Sequence, residues 1–301
     1  MLEVIKSSNK FADLVDENQN LEIIAEHFEF LEGPIWSCKE QSLIFNDIPA
    51  SKTYRWDPSG KKLSVTRENT NKANGNTLDH QHRIVVCEHA TSRIARTDIN
   101  GNHYEVLASH YEGKELNSPN DVVVKSDESI YFTDPKFGRN PSKVGIEREQ
   151  ELSFQGVFMF APRTQKLTLL MDDFENPNGL CFSKDEKQLY VNDSPRRHIR
   201  IFDVIDDGTL ENGRLWAETR DEGVGLPDGL KIDSEENVYC CAQGGLHIFN
   251  KSGEYIGIVR IPEQAANFTW GDEDLRSIYI AATSSIYKIR TRVPGLKLFD
   301  Y

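Results

Sequence analysis

The chain has no run of apolar residues long enough to span a bilayer. Its first segment, Met1 to Gln19, mixes acids and amides with scattered apolar side chains, so the apolar core of a secretory leader is missing too. Cysteine is scarce and odd in number. There are five in 301 residues, and two are adjacent at Cys240-Cys241, where strand side chains point to opposite faces, so no disulfide framework is expected. Together these absences predict a cytoplasmic protein. Basic charge is short as well: 35 Lys and Arg against 48 Asp and Glu leave a formal net charge of −13. The acids are spread along the chain, which argues against nucleic acid or an anionic membrane as partner and leaves a small or neutral ligand. No Ser/Gly-rich or Pro-rich stretch reads as a linker, so residues 1–301 are read as one domain, with 1–20 as an N-terminal extension. Oligomeric state is open. The amphipathic helices that a parallel α/β fold needs between its strands are also missing.

What the chain has instead is a repeated grammar of short strands and turns. One unit runs Gly229 to Ile232, then Val238 to Ala242, Leu246 to Phe249 and Tyr255 to Ile261, with turns at Asp233 to Asn237 and Lys251 to Gly253. Four strands joined by hairpins make a propeller blade. Equivalent runs recur at Leu43 to Asn46, Arg83 to Cys87, Ser129 to Thr133, Gln188 to Val191 and Ser277 to Ile280. The units start near Gly33, Gly75, Asp121, Gly179, Gly229 and Trp270, roughly 40 to 60 residues apart, as expected for blades. The fold class is therefore all-β, a six-bladed β-propeller with four-stranded blades. The last unit runs out of strands after Arg290, while Leu21 to Ala25 precedes the first unit without a partner, so this N-terminal strand is expected to close the ring.

Four segments put a side-chain oxygen beside the turn that opens an inner strand: Glu32-Gly33-Pro34, Pro119-Asn120-Asp121, Pro177-Asn178-Gly179 and Pro227-Asp228-Gly229. Taken singly, each is ordinary turn chemistry, because Asn, Asp and Gly dominate turns for backbone reasons. Taken together, they occupy one position in successive repeats, and a closed ring would aim them at a shared axis. Oxygen donors with no clustered Cys or His suit one hard or borderline divalent ion such as calcium, magnesium or manganese, with zinc or iron where carboxylates dominate. An ion held there with open positions could act as a Lewis acid in ester hydrolysis.

These motifs, with Asn74-Gly75-Asn76-Thr77, Cys87-Glu88-His89 and Tyr131-Phe132-Thr133-Asp134-Pro135, resemble the senescence marker protein, gluconolactonase and luciferin-regenerating enzyme family, and its bacterial gluconolactonase branch in particular. The resemblance runs from about Leu21 to Arg290. It implies a metal-dependent hydrolase that opens sugar lactones, with Glu32, Asn178 and Asp228 as metal ligands. Asp228 is also the candidate catalytic base, although a carboxylate on a dication is a weak base and the ion itself could activate the water. Asn120 falls where the family contacts substrate. The animal branch carries a sugar-holding arginine two positions before Asn120, and this chain has Ser118 there. Substrate recognition is therefore assigned to second-blade residues, with Asn76, Glu88, His89 and Arg93 as candidates.

Several neighbouring features are read more simply. Asp193 is expected to orient Asn178, and Ser194 lacks the glycines of a nucleophile elbow. The polar segment from Lys136 to Gln155, with Gly138, Pro141 and Gly145, is either a mobile lid or a disordered excursion. Two other functions stay open at this point: an arylesterase or phosphotriesterase on the same propeller, and a non-catalytic binding propeller with a structural ion.

Overall fold

The computed structural model describes residues 1–140, 142–297 and 299. Pro141, cited above for the long loop, lies outside them. Among the described residues six antiparallel sheets of at least four strands surround one axis. The first blade comprises Leu31–Ser37, Ser42–Asp47, Lys52–Asp57 and Lys62–Glu68 from the axis outward. The other inner strands are Ala73–Leu78, Val122–Val124, Pro177–Phe182, Leu230–Ile232 and Ala265–Gly271. The last begins five residues before the expected Trp270. Large side chains fill the spaces between blades. Trp36 stacks on Tyr279 of the sixth blade at 5.5 Å, and Trp270 meets Tyr239 edge-on at 5.0 Å.

The ring closes as the strand count requires. Glu22–Glu26 lies antiparallel to Ser285–Arg290, with Glu22 opposite Lys288 and Ile23 opposite Tyr287, and completes the sixth blade. The residues read as an N-terminal extension do more than expected. Val4–Lys6 adds a fifth strand to the fifth blade, with Val4 opposite Val259, and Phe11, Leu14 and Val15 are buried in the core between the fifth and sixth blades. A three-residue strand is too short to show alternation in sequence.

Side chains at the ends of the second strands tie the blades together around the axis. Asn46 donates from Nδ2 to the Asn74 carbonyl at 2.7 Å, Thr133 donates from Oγ1 to Asn178 O at 2.8 Å, and Asn192 donates from Nδ2 to Asp228 O at 2.5 Å. The next residue in each case is an aspartate that accepts backbone N–H groups from the loop entering its own blade. Asp47 binds the amides of Glu29 and Phe30, Asp134 binds that of Asn117, and Asp193 binds those of Glu175 and Asn176. Polar pairs that end three apolar strands thus fix both the entry loop and the neighbouring blade, and so set where the axial residues sit.

Candidate active site

A cavity of about 300 Å³ opens at the end of the axis where the inner strands begin. Glu32, Asn74, Asn120, Asn178 and Asp228 line it, with Phe30, Ile48, Phe137 and Leu226 giving an apolar rim. Glu32 is 3% exposed, and its Oε2 accepts from Gly33 N at 2.6 Å and from Asn267 Nδ2 at 3.1 Å. Burial and then the Asp121 carboxylate hold its proton affinity above the usual carboxylate range. Asp228 is raised as well, by burial, then by Glu32, then by Asp121. Asp121 occupies the position that holds glycine in four of the other turns, and Asn267 does so in the sixth blade, opposite the third. In both, Oδ1 accepts the following amide at 2.9 Å. They form a polar floor beneath the ligand positions.

The amide of Asn178 shows how its oxygen is presented. The Ser194 hydroxyl donates to Pro227 O at 2.6 Å, so its lone pairs accept from Asn178 Nδ2 at 3.1 Å. That leaves Asn178 Oδ1 buried with no hydrogen-bond partner among the described residues, and Asp121 Oδ2 is in the same position. Unpaired buried oxygens beside carboxyl groups that resist ionising are the donor set a hard dication would satisfy. Among the described residues no three Asp, Glu, His or Cys side chains form a metal cage. An ion here would therefore take amide oxygen as well as carboxylate.

The candidates separate by place. Glu32, Asn120, Asn178, Asp228 and His89 meet at the cavity. Asn76 does not. It lies two residues further along its strand, donates to Gly33 O at 2.9 Å and lines a separate, mainly apolar cavity of about 220 Å³ at the far end of the axis. Glu88 turns toward the first blade, where it pairs with Arg67 at 2.9 Å and accepts from Asn71, Thr91 and Tyr104. Arg93 sits opposite Glu88 and beside Tyr104, on that same flank rather than in the cavity. Glu88 ends its strand and His89 opens the turn that follows, so the two side chains leave in different directions.

Asp193 does not touch Asn178, because its oxygens are taken by the entry loop; Ser194 orients the amide instead. Sequence reading missed this, since the serine acts across a turn and onto the next blade. Ser118, which stands where the animal branch has its arginine, is fully buried. It donates to Pro135 O at 2.5 Å and accepts from Gly138 N at 2.9 Å, so it holds the long loop rather than a ligand.

That loop covers the cavity through Phe137, Ser142, Lys143 and Val144. Two buried-side guanidinium groups tie it down. Arg139 reaches Glu115 and the Leu116 carbonyl, both at 2.6 Å, and Arg148 reaches the His89 carbonyl at 2.7 Å and Ser92 Oγ at 2.5 Å. The segment is an anchored cover.

The SMP-30/Gluconolactonase/LRE-like family matches this chain over residues 30–284. The chain belongs to that family. It is 28% identical to the gluconolactonase of Zymomonas mobilis over 314 aligned residues, which cover 97% of this chain and 87% of the relative. A solved gluconolactonase from Xanthomonas campestris is 30% identical and superposes with a TM-score of 0.89 over 96% of this chain and 94% of its own. A regucalcin structure from Agrobacterium tumefaciens, described as a calcium-binding protein, has a TM-score of 0.77 over 93% and 96% of the two chains. At 14% identity it shows the shared fold alone.

Proposed function

We propose that this family member opens sugar lactones, of the gluconolactone type, to aldonic acids with the help of one divalent cation. The observation that carries this reading is Asn178 Oδ1, without a hydrogen-bond partner among the described residues, beside Glu32 and Asp228 in a covered cavity. Membership makes the chain a hydrolase of carboxylic ester bonds of the lactonase kind. Glu32, Asn178 and Asp228 are the residues that would hold the ion, calcium being the first expectation for an all-oxygen set. When bound, the ion supplies Lewis acidity toward the lactone carbonyl and offsets the buried carboxylate charge. Asn120 orients the lactone from the wall. Asp228 takes a proton from the attacking water as it adds to the carbonyl carbon. It then returns a proton to the ring oxygen as the C–O bond breaks. Phe30, Ile48 and Phe137 reduce the competing water around the reacting ester.

The test is a pH-indicator assay of gluconolactone opening, run after chelation and after adding back calcium, manganese, magnesium, zinc or ferrous iron. Loss on chelation and recovery with an ion are expected. Turnover that survives complete chelation would remove the ion from the mechanism. Folded protein with only the spontaneous rate on lactones, but turnover of an aryl ester or phosphotriester, would move the assignment to that ester class.

The orienting serine gives a second expected result. Ser194→Ala removes both the acceptor for Asn178 Nδ2 and the bond to Pro227 O. Half-maximal activity should then need about 10- to 100-fold more ion, the range seen when groups that orient metal ligands are lost. An unchanged ion requirement would show that Asn178 needs no such support.

A further inference from the structure

We propose that Asn74 is a substrate-hydroxyl acceptor: its Oδ1 takes a hydrogen bond from one hydroxyl of a polyhydroxylated lactone, and His89 and the loop above it hold it in that orientation. The inference rests on the lactonase reading and adds to it the residue that distinguishes a sugar lactone from a plain one.

Asn74 lies on the inner strand Ala73–Leu78, is 2% exposed and lines the same cavity as Glu32, Asn120, Asn178 and Asp228. Its direction follows from a chain of chemistry that starts in the loop. The Val144 carbonyl can only accept, so His89 Nδ1, 3.0 Å away, carries the proton. Burial pushes His89 down to about 4, so the ring is neutral and Nε2 offers a lone pair. The group facing that lone pair at 2.8 Å must therefore be the NH₂ of Asn74. Its other end, Oδ1, is buried and has no hydrogen-bond partner among the described residues.

A buried amide oxygen fixed by its own NH₂ cannot rotate to find a partner, and it accepts without donating. A neutral hydroxyl supplies the missing donor, and a substrate lacking that hydroxyl leaves the oxygen unpaired. This is the arrangement by which sites discriminate most sharply. The anchored loop explains why His89 is present. Without the Val144 carbonyl, nothing would select the Nδ1–H form of the ring, and the Asn74 amide could turn over. Ser118 is buried and occupied by the loop, so the place of the animal branch's arginine supplies no contact to a sugar.

The test compares wild type with Asn74→Ala on gluconolactone and on each of its monodeoxy forms, at saturating ion. Wild type should lose tenfold or more in kcat/KM on one monodeoxy lactone. Asn74→Ala should show that loss already on gluconolactone and no further loss on the same analogue. His89→Leu should match Asn74→Ala, and the double variant should be no worse than either. His89→Gln should restore activity, because its NH₂ can donate to Val144 O while its oxygen accepts from Asn74. Equal effects of Asn74→Ala on every lactone would overturn the proposal, as would a loss recovered by raising the ion concentration, which would make Asn74 an ion ligand. If the alanine variant does not fold, wild type alone decides, because equal turnover of all monodeoxy forms would exclude a hydroxyl-reading acceptor. Wild type inactive on every lactone would instead overturn the lactonase reading and this inference with it.

Discussion

Asp228→Asn and Glu32→Gln should each lower lactone turnover by about a thousand-fold or more, roughly 4 kcal/mol of transition-state stabilisation, while the metal-free protein becomes harder to unfold. The two effects have one cause. Glu32 and Asp121 are buried and Asp228 is half-buried beside them; Asp121 raises the cost of ionising Glu32, and both raise that of Asp228. A neutral amide of the same shape keeps the packing and removes that repulsion. The sign of the pH dependence follows. A carboxyl whose proton affinity is raised by folding stabilises the folded form below the ordinary carboxylate range and loses that contribution as pH rises through its folded value. Chelated wild type should therefore lose stability as pH rises from about 4.5 toward neutrality, and Glu32→Gln should flatten the slope. Added ion should raise the melting temperature of wild type and do less for either variant. Calorimetry with chelator and with ion, beside the lactone assay, reads all of this. Near-wild-type turnover in either variant would show that the ligand set is misplaced.

Much of this arrangement was legible because the repeat reports position directly. A propeller brings the residue before each inner-strand turn to one axis, so Glu32, Asn120, Asn178 and Asp228 could be grouped without knowing any distance. Closure by Leu21 to Ala25 followed from counting strands. Depth along the axis was not legible. Asn74 and Asn76 lie two residues apart on one inner strand, and the strand's register shifts between Ala73 and Asn76, so alternation alone does not say where either side chain sits. Only the three-dimensional position assigns the first to the cavity and the second to the far end. The paired role of Asn46-Asp47, Thr133-Asp134 and Asn192-Asp193 was not read from the sequence, because the partners of Asn46, Thr133 and Asn192 sit on neighbouring blades. Ser194 was set aside as a nucleophile for sound reasons, and its true contact, the Asn178 amide, required the fold. Asp121 was hidden by being the exception to the glycine pattern.

Gly33→Ala should be the most damaging single methyl group that can be added near the site, costing roughly 3 kcal/mol or more of stability. Gly33 has φ of +56°, a region where an L side chain is strained in any surroundings. A Cβ there would also stand 2.1 Å from the Asn74 carbonyl oxygen and 3.0 Å from Asn76 N, and backbone atoms cannot step aside as a side chain can. The Asn74 carbonyl is itself held by Asn46 Nδ2, so relieving the clash breaks the tie between the first and second blades. The damage should also reach function, because Gly33 N anchors the Glu32 carboxylate and the displaced residue is Asn74. Urea unfolding measures the first effect, and the ion concentration needed for activity measures the second. Gly60→Ala is the control. It lies in an outer turn where the added Cβ would meet nothing closer than Asp57 Oδ2 at 3.5 Å, and it should change stability by less than about 0.5 kcal/mol. If Gly33→Ala were as harmless as Gly60→Ala, the inner strands would not pack as closely as described. The close approach of blades that places Glu32 beside Asn74 would then have to be abandoned.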